Sequence, residues 1–213
     1  MRGAIFDMDG TLLDSMWMWR GLDEQILIDN GVPVPEDLGQ KIVTMNSQQA
    51  AEYLSSNYLP HLEPEKIMEN WEEMVWQAYR TVIAPKPLVP EYLRALKARG
   101  IKMCIATMTD RPQAETVLRR LGLWDLFEFI ITVPEAGKSK HEPDIYFQCC
   151  KKLSLDPADC TVFEDAYYAV KTAKAAGFTV CGIYDDTSKL DWPAIERTAD
   201  IAITDYRQLL EQL

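Results

Sequence analysis

The sequence predicts an α/β protein in which a parallel sheet carries helices on both faces and a small all-helical segment is inserted directly after the first strand. Three observations lead there. From about residue 90 onward, short apolar runs alternate with helical patterns, the rhythm of a parallel sheet, whose crossovers are usually helices. One further apolar run, residues 4–6, opens the chain far from the others. Between them, about seventy residues carry helical periodicity and no convincing strand.

The first strand, 4–6, runs straight into Asp7. Helical patterns follow at 14–30, 36–43, 47–58 and 64–81, and the prolines at 33, 35, 60 and 64 punctuate the gaps. The segment 85–90 holds Pro85, Pro87 and Pro90; it reads as a stiff stretch, poor in helix, and as one leg of a two-legged linker. The expected division is therefore a core of residues 1–13 and 85–213 with an inserted helical domain at 14–84. In the core, helical patterns at 91–99, 112–121, 143–153 and 167–176 alternate with strand candidates at 101–106, 129–133, 161–163, 178–183 and 201–203. Pro112 and Pro143 open two of these helices, and Gly100 and Gly177 close two, as helix-end physics favours.

Composition narrows the function. The 213 residues hold 22 Lys and Arg against 33 Asp and Glu, a net charge of −11, which disfavours nucleic acid and anionic membranes as partners. Most of the acidity lies in residues 14–84, with twelve acidic and four basic side chains. No run approaches the roughly 18 apolar residues of a membrane helix, and the N-terminus does not read as a signal peptide. Five cysteines without CxxC spacing argue against a disulfide framework or zinc site and for free thiols in a reducing, cytoplasmic setting. A monomer or weak homodimer is expected.

The strongest chemical signal is Asp7-Met8-Asp9-Gly10-Thr11 at the end of the first strand. Side chains alternate along a strand, so carboxylates at i and i+2 can share a face at its carboxyl end, where open parallel sheets bind ligands. Two such acids favour a bound cation or a shared proton, and Gly10 lets backbone amides approach an anion. An Asx-type turn is the plainer alternative. Further signals fall at or near other strand ends. Thr107 ends the strand at 101–106 with a hydroxyl able to donate to phosphate, a helix cap at Thr109 or Asp110 competing. Lys138 and Lys140 precede a helix, where a solvated surface lysine is the default. Glu164 and Asp165 end the strand at 161–163, where a metal site and a helix cap compete.

Acid pair, hydroxyl, lysine, acid pair, in that order on one sheet, resembles the haloacid dehalogenase superfamily. The four motifs match as Asp7-Met8-Asp9-Gly10-Thr11, Thr107, Lys140 in Lys140-His141-Glu142-Pro143-Asp144, and Glu164-Asp165. The helical insertion is similar to the small cap of the subfamily that holds β-phosphoglucomutase and phosphoglycolate phosphatase. His141 and Ala166 depart from the usual proline and serine of motifs three and four.

The resemblance implies a Rossmann-like fold and a magnesium-dependent phosphoryl-transfer enzyme acting on a small phosphorylated metabolite. Asp7 is then the nucleophile that forms an aspartyl-phosphate, and Asp9 the general acid and base. Gly10, Thr107 and Lys140 would bind phosphate. Mg²⁺ would take ligands from Asp7, the main-chain carbonyl of Asp9, Asp165 and, directly or through water, Glu164, while Thr11 braces the loop. The second carboxylate argues against a true dehalogenase. In the cap, Trp17, Trp19 and Arg20 are candidate substrate contacts, packing within the cap being the alternative for the rings. A cap so acidic offers few cations to grip a second phosphate, which favours a phosphatase over a β-phosphoglucomutase-type mutase.

Overall fold

The computed structural model describes residues 1–42 and 45–213. Six parallel strands form the main sheet: β1 (Gly3–Phe6), β4 (Lys102–Thr107), β5 (Phe129–Thr132), β6 (Cys160–Glu164), β7 (Thr179–Ile183) and β8 (Ile201–Ile203), in the order β5-β4-β1-β6-β7-β8. β1 is central. The chain leaves it toward β4 and β5 on one side and later fills β6, β7 and β8 on the other. The carboxyl end of β1 is thus the topological switch point, where such sheets leave a crevice for ligands.

The helices, in chain order, are α1 (Met16–Asp29), α2 (Leu38–Ile42), α3 (Ser47–Asn57), α4 (Pro64–Thr81), α5 (Val89–Ala98), α6 (Arg111–Arg120), α7 (Val133–Ala136), α8 (Asp144–Leu153), α9 (Tyr167–Ala175), α10 (Trp192–Thr198) and α11 (Arg207–Leu210). Of these, α5 to α11 pack around the sheet, and α1 to α4 fill the helical segment between β1 and β4. Strand alternation sends Ile5, Cys104 and Val162 to one face, against Ile145 and Cys149 of α8 and Val170 and Ala173 of α9. On the other face Phe6 stacks on Phe163 at 4.3 Å, and Tyr92 of α5 closes over Phe163 at 6.1 Å. All five cysteines are buried free thiols, and no helix among the described residues is long and apolar enough to cross a membrane.

The chain divides into two compact units, Met1–Met16 with Ile83–Leu213, and Trp17–Val82. The second unit is helical and closes on its own core of Ile26, Leu27, Leu38, Leu54, Ile67 and Trp71. Its boundaries lie a few residues inside the expected 14–84. The reason is a short antiparallel pair, β2 (Leu13–Asp14) with β3 (Ala84–Pro85), which ties the two linker legs to the larger unit.

Other details differ from the sequence expectation. The stiff stretch 85–90 ends sooner, because Val89 and Pro90 already open α5, where proline's missing N–H costs nothing. The strand at 129–133 stops at Thr132, which caps α7 in a capping box with Glu135. The helix expected at 36–43 is seen as Leu38–Ile42, and position 43 lies outside the described residues.

Candidate active site

Everything at the carboxyl end of β1 is set by a tight turn. Asp7 leaves the sheet with its amide still donating to the Phe163 carbonyl at 2.9 Å. The chain then doubles back, the Leu12 amide donating to the Met8 carbonyl at 2.9 Å and Gly10 donating to Leu13 at 3.0 Å. Gly10 sits at φ +79°, and a Cβ there would lie 2.4 Å from Asp165 Oδ2. A glycine is required on both counts.

Four charged side chains meet at this point: Asp7, Lys140, Glu164 and Asp165, all buried. Lys140, 2% exposed, donates to Asp7 Oδ1 and, at 2.7 Å, to Glu164 Oε1. Tyr146, in the first turn of α8, donates to the same Glu164 oxygen at 2.8 Å. Thr11 donates to Asp165 Oδ1 at 3.1 Å, and Tyr206 donates to the Thr11 carbonyl at 3.1 Å. Lys138 lies apart and pairs with Asp144 at the surface.

The electrostatics are unbalanced. Burial pushes the Glu164 carboxyl up, Asp7 adding to this and Lys140 opposing it. Burial also raises Asp165, reinforced by Asp7, Glu164 and Asp185. Burial alone would lower Lys140, but Asp7 and Glu164 outweigh it and hold the ammonium charged. One cation therefore faces three buried carboxylates, and buried charges need compensation. The donor set suits a divalent cation: Asp7, Glu164 and Asp165 each bring an oxygen within 4.8 Å of the others, all hard ligands.

Asp9 does something different. Its carboxylate accepts from Ser15 Oγ on Oδ1 and from Thr109 Oγ1 on Oδ2, both at 2.6 Å. Of the expected metal residues, Asp7, Glu164 and Asp165 thus converge through their side chains, while Asp9 presents its side chain to two hydroxyls. Thr107 is buried at the end of β4, and its Oγ1 accepts the Thr109 amide at 3.0 Å. In the other unit, Trp17 and Trp19 are exposed near the start of α1, as is Arg20, whereas Trp71 is buried and donates to the Leu22 carbonyl at 3.2 Å.

The chain carries the haloacid dehalogenase-like hydrolase pattern over residues 4–183. It belongs to that family. Among its relatives, a phosphorylated carbohydrates phosphatase of Thermotoga maritima is 28% identical over 218 residues, covering 100% of this chain and 98% of that one. The beta-phosphoglucomutase of Bacillus subtilis is 25% identical over 225 residues, covering 100% and 96%. A crystal structure from Thermotoga maritima, solved as a candidate beta-phosphoglucomutase, matches over 100% of both chains with a TM-score of 0.85 at 25% identity. For this haloacid dehalogenase-like hydrolase, the sequence motifs point to Asp7, Asp9, Gly10, Thr107, Lys140, Glu164 and Asp165, reach Thr109 only as a helix cap, and do not reach Ser15 or Tyr146. Nothing in the sequence singles out Ser15. Thr109 carries a signal, its i+2 spacing from Thr107, although a helix cap is the plainer reading of that position.

Proposed function

We propose that the protein is a magnesium-dependent phosphatase that hydrolyses a small phosphorylated metabolite, a sugar phosphate or similar, through an aspartyl-phosphate on Asp7. One observation carries this reading. A buried carboxylate, Asp7, sits against the Lys140 ammonium and beside Asp165 and Glu164, while a second carboxylate, Asp9, is held nearby by hydroxyls. Asp7 is useful as a nucleophile toward a phosphate dianion only if their repulsion is screened. Lys140 and the Thr107 hydroxyl supply donors from the protein. Asp7, Asp165, the Asp9 carbonyl and Glu164 would hold Mg²⁺, which when bound supplies positive charge against the phosphoryl oxygens.

In this mechanism an Asp7 oxygen bonds to phosphorus as the ester bond to the leaving oxygen breaks, and that oxygen takes a proton from Asp9. Water then attacks phosphorus and gives its proton to Asp9, releasing phosphate and restoring Asp7.

The helical unit, read as the cap, supports hydrolysis over mutase chemistry. The cationic side chains in residues 14–84 are few, and Lys41 pairs with Asp37 at 2.9 Å, Lys66 with Glu69 at 2.9 Å, and Arg80 with Glu73 at 3.8 Å while also lying over the Trp76 ring. A mutase needs cations to grip a second phosphate. The similarity to beta-phosphoglucomutase keeps that activity as the second reading.

The test incubates the enzyme with Mg²⁺ and a panel of sugar phosphates, including β-glucose 1-phosphate with a trace of glucose 1,6-bisphosphate. Free phosphate that disappears in Asp7→Asn supports the phosphatase. Glucose 6-phosphate without free phosphate makes it a mutase, and silence across the panel removes both readings.

A further inference from the structure

We infer that Thr109 is a positioning residue for Asp9, fixing the carboxylate in the orientation from which it hands a proton to the leaving oxygen. The inference rests on the reading above, in which Asp9 is the general acid. Thr109 lies two residues past the end of β4, 7% exposed, in the turn before α6. A buried hydroxyl in such a turn ordinarily caps the helix that follows. Here the cap position is Asp110, without a side-chain cap bond, and the Thr109 hydroxyl reaches across 100 positions of sequence to Asp9 Oδ2 at 2.6 Å.

The neighbouring geometry narrows what that bond does. Ser15 holds the other Asp9 oxygen at 2.6 Å, so two donors define the plane of the carboxylate, not just its place. Thr109 is itself held from below: its amide donates to Thr107 Oγ1 at 3.0 Å, which locks the 107–109 turn. Accepting that bond leaves the Thr107 hydroxyl proton for donation, since a hydroxyl both donates and accepts. The end of β4 thus divides its labour, Thr107 serving the phosphoryl group and Thr109 serving the acid. β-Branching also restricts the Thr109 rotamers, which suits a fixed aim. Strands β1 and β4 are hydrogen-bonded neighbours, with Phe6 in register with Ile105, so the loops after them are brought together by the sheet itself.

A positioning role has a kinetic signature that a structural role lacks. An alkyl leaving group needs a proton as the ester bond breaks, whereas p-nitrophenolate leaves without one. The experiment measures single-turnover release of the leaving group, which isolates the step that phosphorylates Asp7, for the best sugar phosphate and for p-nitrophenyl phosphate. Thr109→Val keeps the shape and removes the donor; Thr109→Ser keeps the donor. The expected result is a loss of about 10- to 100-fold on the sugar phosphate in Thr109→Val. Release from p-nitrophenyl phosphate then falls far less, KM stays near the parent value, and Thr109→Ser recovers most of the rate. Equal losses on both substrates, a change in KM alone, or failure of the serine to restore the rate overturns the inference. Asp9→Asn run alongside separates the two levels: if it spares the sugar phosphate, Asp9 is not the acid and the reading beneath falls first.

Discussion

Lys140 Nζ lies 2.7 Å from Glu164 Oε1, joining the loop before α8 to the end of β6 inside the sheet's carboxyl edge. That one ammonium also serves Asp7. Replacing it with methionine preserves the bulk and leaves three buried carboxylates facing one another. Breaking a buried pair on one side costs about 3–5 kcal/mol. Lys140→Met is therefore expected to lose about that much in urea unfolding without metal, and to recover part of it when Mg²⁺ is added. Activity should fall by about 10²–10³-fold, the usual cost of a lost charge-stabilising donor. Equal stability with and without Mg²⁺ would contradict the charge accounting.

The cluster of Asp7, Glu164 and Asp165 predicts linkage between metal and folding. A ligand at a hundred times its Kd stabilises the folded state by about 2.7 kcal/mol, or about 5–10 °C in Tm for a chain of this size. Mg²⁺ should raise the melting temperature of the parent by that order. Asp165→Asn keeps the Thr11 bond available but removes the charge, and differential scanning fluorimetry should show the shift reduced to about a degree or less. A full shift in this variant would exclude Asp165 as a ligand.

A pH dependence follows from Lys86, just past β3, which donates to Asp185 Oδ2 at 2.9 Å and to the Tyr184 carbonyl at 2.8 Å. Burial alone would raise the Asp185 carboxyl, but hydrogen bonds from Thr187 and Lys86 outweigh it and hold it below the ordinary value. A carboxyl depressed on folding stabilises the fold above its unfolded value, near pH 4, and loses that contribution as pH falls through the folded value. Lys86→Met is expected to cost about 1–3 kcal/mol at neutral pH, as for hydrogen bonds to charged groups. The gap to the parent should narrow as unfolding is followed from about pH 5 toward pH 2. A gap constant across that range would mean that the bond contributes nothing electrostatic.

Much of this was legible beforehand, for reasons that differ by element. Apolar runs such as 101–106 are visible because both faces of a parallel strand are buried, and β4 spans Lys102–Thr107. Asp7, Asp9, Glu164 and Asp165 stood out because charge at the end of an apolar strand is costly without compensation. The β2–β3 pair was not legible, since two-residue strands carry no period. Residue type alone does not separate Lys140 from Lys138; register with Pro143-Asp144 favours Lys140, and the fold adds the reason, a 2%-exposed lysine between two acids against one paired at the surface. Thr109 and Tyr146 act through contacts 100 and 18 positions away, which no local pattern encodes.

Gly10 ties the turn after β1 to the acid pair after β6, and the two costs of filling it can be separated. At φ +79° any side chain is strained, and its Cβ would also strike Asp165 Oδ2 at 2.4 Å. Gly137, at φ +78°, shares the strain but has nothing within 4 Å. The conformational cost alone is about 1–2 kcal/mol, so Gly137→Ala should lose that much stability and keep parental activity. Gly10→Ala should lose at least as much, and in addition displace the Asp165 carboxylate, blunting the Mg²⁺-induced rise in melting temperature. Phosphate release should fall with it, by about 10²-fold or more, on the scale of a lost electrostatic contact. If Gly10→Ala behaves like Gly137→Ala in both assays, the approach of Gly10 to Asp165 has no part in holding the site.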